Sequence, residues 1–344
     1  MSDFFIVNVL IPLGQIAVLL AILGLATGYI VLLERRVLAF IQSRLGPNRV
    51  GPWGLLQPIA DTLKLLLKED LRPGGADLFT YVLAPGIAVV AAFTTLSLIP
   101  FGEGFSLFGY RIPGAIADVN VGILLILGIS ALTTYGIILG GWASNSKYPL
   151  LGAMRAAAQM VSYEIALTFA VLAVLMVAGT LSMVGIVEAQ RDAGIWYFFV
   201  QPAAWLIFTI AMIAETNRIP FDMPEAESEL VGGFFTEYSG MRWALFFLAE
   251  YTAMVVMSAI NVTLFWGGWL RPFPNVEVLA FLGVIPPIGW FLTKVTAFLM
   301  IYIWIRGTFP RYRYDQLMAL NWKSLIPLAI ANLLLTGVVM LFVG

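Results

Sequence analysis

The stretch Val161–Val187 reads VSYEIALTFAVLAVLMVAGTLSMVGIV, 27 residues with one charge, Glu164. A helix needs about 20 apolar residues to cross the hydrocarbon core of a bilayer, so this segment is long enough to span it. Seven stretches of the same kind surround it: Val7–Leu33, Leu78–Pro100, Val119–Gly141, Trp196–Ala214, Trp243–Trp266, Val278–Ile305 and Leu325–Val343. The eight together hold only three of the 39 charged side chains, Glu164, Glu250 and Lys294. The pattern predicts an all-α polytopic membrane protein, one membrane domain over residues 1–344 with eight transmembrane helices. The first stretch is too long for a signal-peptide core and has no basic residue before it, so it is expected to stay as a membrane helix.

Composition narrows the chemistry. The chain is 60% hydrophobic and 11% charged, against roughly 45–50% and about 25% in a soluble domain, which excludes a soluble enzyme. A net charge of -1 offers no basic field for nucleic acid, which is not expected as a partner. Cysteine and histidine are both absent. Disulfides, thiolate-bound iron–sulfur clusters, His-ligated haem and Cys/His zinc sites are therefore ruled out, and no metal or haem is expected in this chain. A redox centre must belong to another chain or a diffusible ligand.

Orientation follows from the basic residues, which favour the cytoplasmic side. The first, third, fifth and seventh connections hold 15 Lys and Arg, and the second, fourth and sixth hold 3. The long polar connections are thus expected in the cytoplasm and both termini on the opposite side.

In the first of these connections, residues 34–77, the period changes at 54–67. Leu55, Ile59, Leu63 and Leu66 mark one helical face and Gln57, Asp61, Lys64 and Lys68 another, as expected of an amphipathic helix lying in the interface. Lys64 and Lys68 fit a solvated anchor; Asp61, flanked by apolar neighbours, needs a partner. In the third connection Arg155, Gln159 and Tyr163 share a face that leads to Glu164. That acid, just inside the hydrocarbon, either bridges to Arg155 or Lys294 or takes part in proton transfer. The fifth connection, 215–242, is acidic: Glu215, Asp222, Glu225, Glu227, Glu229 and Glu237 face only Arg218 and Arg242. Helix capping explains part of this cluster, but not Glu229 one turn after Glu225, where like charges repel. Crowded carboxylates in low dielectric hold protons to higher pH, a route to proton movement without histidine. Lys294 reads as mid-span, with Glu250 and Glu164 as available acid partners. The run Arg306–Tyr314 reads as a basic juxtamembrane anchor.

These residues resemble one family closely, the quinone-side membrane subunit (the H subunit) of respiratory complex I, the proton-pumping NADH:quinone oxidoreductase. The resemblance rests on Arg44-Leu45-Gly46-Pro47-Asn48 with Leu56-Gln57-Pro58 and Ala60-Asp61, on Gly141-Trp142-Ala143-Ser144-Asn145-Ser146 with Ser162-Tyr163-Glu164, on Pro220-Phe221-Asp222 with Glu225 to Leu230, and on Tyr312-Arg313-Tyr314-Asp315-Gln316-Leu317. It implies quinone as substrate, in a chamber formed by the first helix, the interfacial helix and the fifth connection, with Arg35, Arg36, Arg44, Asp61, Lys64 and Phe235 at it. It also implies a line of proton-coupling groups, Glu164, Glu215, Arg218, Asp222, Glu225, Glu227, Glu229, Glu250 and Lys294. Implied partners are the peripheral-arm iron–sulfur and quinone-site subunits, small membrane subunits and antiporter-like pumping subunits, in a bacterial inner membrane with periplasmic termini. Two other readings are the membrane anchor of a related hydrogenase or ferredoxin-linked complex, and a stand-alone cation or proton transporter.

Overall fold

The computed structural model describes residues 9–107, 110–223, 231–273 and 283–343. The described chain is helical except for a small antiparallel hairpin, β1 (Phe105–Leu107) with β2 (Tyr110–Ile112), in register Phe105↔Ile112. The helices are α1 (Ile11–Ile41), α2 (Gln57–Leu67), α3 (Leu78–Ser97), α4 (Gly122–Ala143), α5 (Lys147–Ala178), α6 (Met183–Ala193), α7 (Tyr197–Val200), α8 (Pro202–Glu215), α9 (Gly240–Phe265), α10 (Pro287–Thr308), α11 (Tyr314–Leu320) and α12 (Ile326–Val343). Seven helices among the described residues are long and apolar enough to cross a membrane, the last running from α11 through α12. The expected span Trp196–Ala214 takes a different form. It breaks at Gln201 into the short α7 and the 14-residue α8, whose length of about 21 Å is less than the hydrocarbon core alone.

Two boundaries differ from the hydropathy reading for physical reasons. α1 does not stop at Leu33 but continues to Ile41, because Glu34 is buried and charge-paired instead of solvated. The stretch Val161–Val187 is not one helix: α5 ends at Ala178, where Gly179 adopts φ +66 and its N–H returns to Leu175 O, and Ser182 then caps α6. A left-handed glycine and a serine N-cap are ordinary helix stop and start signals; they lie inside an apolar run that hydropathy reads as continuous. Similarly, α2 begins at Gln57 and not at Gly54, since Gly54 has φ +72 and a Cβ there would fall 2.3 Å from Pro47 O.

α5 is the central element, packing against α4, α8 and α12. Its buried face is built from small residues, including Ala153, Ala156, Ala166, Ala170 and Ala173, which let neighbouring backbones approach closely. In lipid, helices gain little from burying one another's apolar surface, so close packing and interhelical hydrogen bonds hold them. Gln159 donates to Ala214 O and Phe221 O at 2.8 and 2.7 Å. Asn321 donates to Ser162 O, Tyr163 to Leu317 O, and Tyr302 to Met212 O. These bonds tie α5, α8, α10 and α11 together around the segment 215–223, where the acidic connection begins.

Candidate functional site

The buried ionic groups gather where α1, α8, α9 and α10 converge. Glu34, on the same face of α1 as Leu23, Thr27 and Ile30, has a side chain only 4% exposed. Its Oε1 pairs with Arg306 of α10 and lies 3.5 Å from Arg218 Nη1. Its Oε2 accepts a 2.7 Å hydrogen bond from the Tyr251 hydroxyl of α9. Arg218 Nε in turn lies 2.6 Å from Glu250 Oε1, and the guanidinium sits 4.2 Å above the Tyr251 ring centroid. Asp222 completes the group through a 3.0 Å ion pair with Arg311. Three acids and three arginines thus form the inner cluster among the described residues. A buried carboxylate is tolerated when it is paired and hydrogen-bonded; Glu34 and Asp222 are both, and Glu250 is ion-paired with Arg218.

Glu215, at the end of α8, is the exception. It is buried, its Oε2 has no hydrogen-bond partner, and Glu164 of α5 is its acidic neighbour. Beside it is a cavity of about 40 Å³ lined by Glu215, Thr216, Asn217, Glu250, Thr133 and Met160, with apolar residues of α3, α4 and α9. Such a space admits one water with polar partners on several sides.

On the outer side of α1, Arg35 pairs with Asp61 of α2 at 2.7 Å, and Gln57 donates to the other oxygen of Asp61 at 2.9 Å. The expected need of Asp61 for a partner is met by this pair. The side chains are 48% and 30% exposed. Along the rest of α2, Ile59, Leu63, Leu66 and Leu67 are exposed, the arrangement expected of a helix lying against lipid. Lys64 and Arg44 are exposed, Arg36 is half-buried, and Arg44 donates to Gln42 at 2.7 Å. Phe235 follows in the short turn Gly233–Phe235 and meets Trp243 of α9 edge-on, centroids 6.5 Å apart. α9 starts against the end of α2, where Arg242 pairs with Asp70 at 3.1 Å. Below, Tyr81 and Tyr238 stack at 4.1 Å; burial pushes the Tyr238 hydroxyl above its ordinary pKa, keeping it a donor to Tyr81 O.

The structure therefore brings together Arg218, Asp222 and Glu250, places Glu215 and Glu164 beside them, and sets Arg35 and Asp61 at the adjoining surface. Glu225, Glu227 and Glu229 lie outside the described residues. Of the two states the sequence allows Lys294, neutral or paired with an intramembrane acid, the acid pair is not seen among the described residues. α10 begins only at Pro287, so Lys294 stands two turns from its start, where the ammonium donates to Trp266 O, Gly268 O and Leu270 O at 2.6, 3.0 and 2.7 Å. Those carbonyls close the end of α9 remote from Glu250, and Lys294 also lies 4.5 Å over the Trp196 ring. The basic run is likewise more than a surface anchor: Arg306 and Arg311 neutralise Glu34 and Asp222, and Tyr312 N–H donates to Pro220 O. Glu34, Tyr251 and Arg306 escaped the sequence reading. The available signal was the 4, 3, 4 spacing Leu23, Thr27, Ile30, Glu34, which puts the acid on the buried stripe.

The family model described as NADH dehydrogenase matches residues 14–337. The chain is 50% identical over 330 residues to an NADH-quinone oxidoreductase H subunit of Geobacter metallireducens, covering 96% of each. It is 51% identical over 333 residues to the NADH-quinone oxidoreductase H subunit of Geobacillus kaustophilus, covering 96% of this chain and 95% of that one. A third relative, an NADH-quinone oxidoreductase H subunit of Syntrophobacter fumaroxidans, is 48% identical over 97% of both chains. Matched over nearly its whole length by model and relatives alike, this predominantly helical membrane chain belongs to the NADH dehydrogenase family, as a homologue of the H subunit of NADH-quinone oxidoreductase.

Proposed function

We propose that the chain is the membrane subunit of a proton-pumping NADH:quinone oxidoreductase, that it forms the quinone-access chamber, and that its buried carboxylates couple quinone reduction to proton translocation. The observation that carries this reading is the continuity of charge from the Arg35–Asp61 pair at the lipid-facing surface, through Glu34, Arg218 and Glu250, to Glu215 and its cavity. Quinone enters between α1 and α2, where exposed leucines meet a polar face that includes Arg35, Arg36, Arg44, Asp61 and Lys64, with Phe235 on the third side. An apolar slot leading to a few polar groups suits an isoprenoid tail with a polar head. Electrons come from a peripheral-arm iron–sulfur subunit, since this chain has no Cys or His to hold a cluster.

Reduction of quinone draws protons and changes charge beside Glu34. In a buried ion cluster such a change alters the proton affinity of every member, and one pKa unit is worth about 1.4 kcal/mol. Glu215, Glu164 and Glu250, with Asp222, Glu225, Glu227 and Glu229 of the fifth connection, then pass the change towards partner membrane subunits. The long connections face the cytoplasm of a bacterial cell, and both termini the periplasm.

The test uses the assembled complex in liposomes, measuring quinone turnover and proton translocation together. Glu215→Gln and Glu250→Gln should each lower translocation about tenfold or more, and Asp61→Asn should raise the KM for quinone about tenfold. Normal rates and an unchanged KM in all three would make these acids structural and end the proposal.

A further inference from the structure

We infer that Tyr251 is a positioning residue of the coupling cluster, holding Arg218 between Glu34 and Glu250 with its ring while its hydroxyl occupies one carboxylate oxygen of Glu34. The inference rests on the proposal that these carboxylates couple quinone chemistry to proton movement, and adds a residue that is neither an acid nor a base of that line.

The geometry is specific. Glu34 has two oxygens and three donors around it: Arg306 and Arg218 at Oε1, Tyr251 at Oε2. Because Arg306 and the tyrosine already serve Glu34, Arg218 rests closer to Glu250, 2.6 Å against 3.5 Å. Its guanidinium carbon sits 4.2 Å over the Tyr251 ring centroid, an attraction that survives when the cation slides from one acid to the other. One tyrosine thus fixes one acid and provides the surface on which the arginine moves. Removing only the hydroxyl leaves Glu34 Oε2 without that donor, so Glu34 draws Arg218 and the short contact with Glu250 lengthens.

The ring is itself held from the quinone side. Trp243, Phe247 and Tyr251 follow one another at one-turn spacing on α9, with centroids 5.0 and 4.6 Å apart, and Phe235 abuts Trp243. An aromatic column therefore runs from the proposed chamber wall to the underside of Arg218. Rings in contact along one helix face constrain one another, and the column is anchored at its buried end by Tyr251. Occupation of the chamber beside Phe235 and Trp243 is in this way transmitted to the position of Arg218 through aromatic rings, with no carboxylate between.

The experiment is Tyr251→Phe in the assembled complex, reconstituted in liposomes, with Glu250→Gln prepared beside it. Phenylalanine keeps the ring, the column and the surface for Arg218, so the KM for quinone should be unchanged while kcat for coupled quinone reduction falls about tenfold. A kcat within about twofold of the unsubstituted complex, or a KM that rises with kcat untouched, overturns the inference. A silent Glu250→Gln removes the coupling proposal and this inference with it. Loss in Glu250→Gln with a normal Tyr251→Phe removes the inference alone. Should Tyr251→Phe not assemble, 3-fluorotyrosine introduced at position 251 keeps the shape and strengthens the O–H donor; a changed kcat at constant KM supports the assignment and an unchanged kcat refutes it.

Discussion

Replacing Lys294 by methionine separates a clamp from a proton carrier. The ammonium makes three hydrogen bonds of 2.6–3.0 Å to the carbonyls of Trp266, Gly268 and Leu270 and lies over Trp196. A bond from a charged donor contributes about 1.5–3 kcal/mol and a desolvated cation on an aromatic face about 2 kcal/mol. Methionine has nearly the same length and forfeits all of these, but it also removes the several kcal/mol that burying an ammonium costs. The net loss is about 3 kcal/mol, because the carbonyls at the left-handed Gly267–Gly268 turn stay buried without their donor. At about 2 °C per kcal/mol for a chain of this size, the half-inactivation temperature of the purified complex should fall by roughly 6 °C. Lys294→Gln keeps an N–H donor and should fall between. The ratio of protons translocated to electrons transferred should not change in the surviving complex, since the clamp is at the end of α9 remote from Glu250. An unshifted inactivation temperature, or normal quinone turnover with lost translocation, would refute this account and return Lys294 to the proton path.

Two further expectations concern topology and the acidic connection. Lys147 and Asn120 are exposed at the starts of α5 and α4, ends predicted to face opposite sides, so cysteines placed there should be labelled by impermeant reagents from opposite faces of oriented vesicles; labelling of both from one face would invert or abolish the assigned orientation. Gln159→Leu removes the side-chain donor shared by Ala214 O and Phe221 O, which keep only the backbone N–H groups of Asn217 and Met223, a loss of about 1–3 kcal/mol for two hydrogen bonds. Protease should then cut near residues 217–223 faster than in the unsubstituted complex, and equal cutting rates would show that the amide does not hold the segment.

The membrane architecture was legible because lipid imposes a simple rule, long uncharged runs for spanning helices, and the chain keeps it with three exceptions among 39 charges. The rule failed where backbone chemistry works inside an apolar run. Gly179 ends α5 and Gln201 divides α7 from α8, yet neither interrupts the hydropathy. It failed also at Glu34, which charge assigns to a loop and helical periodicity assigns to the core. The cluster needs Arg218, Arg306 and Tyr251 from three distant segments to bury that acid, and no local pattern announces long-range pairing. Lys294 differs in its partners: acids are what the sequence offers a lysine inside an apolar run, whereas three backbone carbonyls at the end of α9 take the ammonium.

The two ends of the charge line differ in their exposure to dissolved ions. The Arg35–Asp61 pair is half in solvent, where 1 M salt confines electrostatic attraction to about 3 Å against about 8 Å at physiological ionic strength. Glu34 and Arg218, with side chains 4% and 7% exposed, admit no counterions between them. Added salt therefore loosens the pair at α2 more than it loosens the Glu34–Arg218 contact. If quinone passes α2 as proposed, ionic strength should change its arrival and departure more than it changes the coupled step behind it.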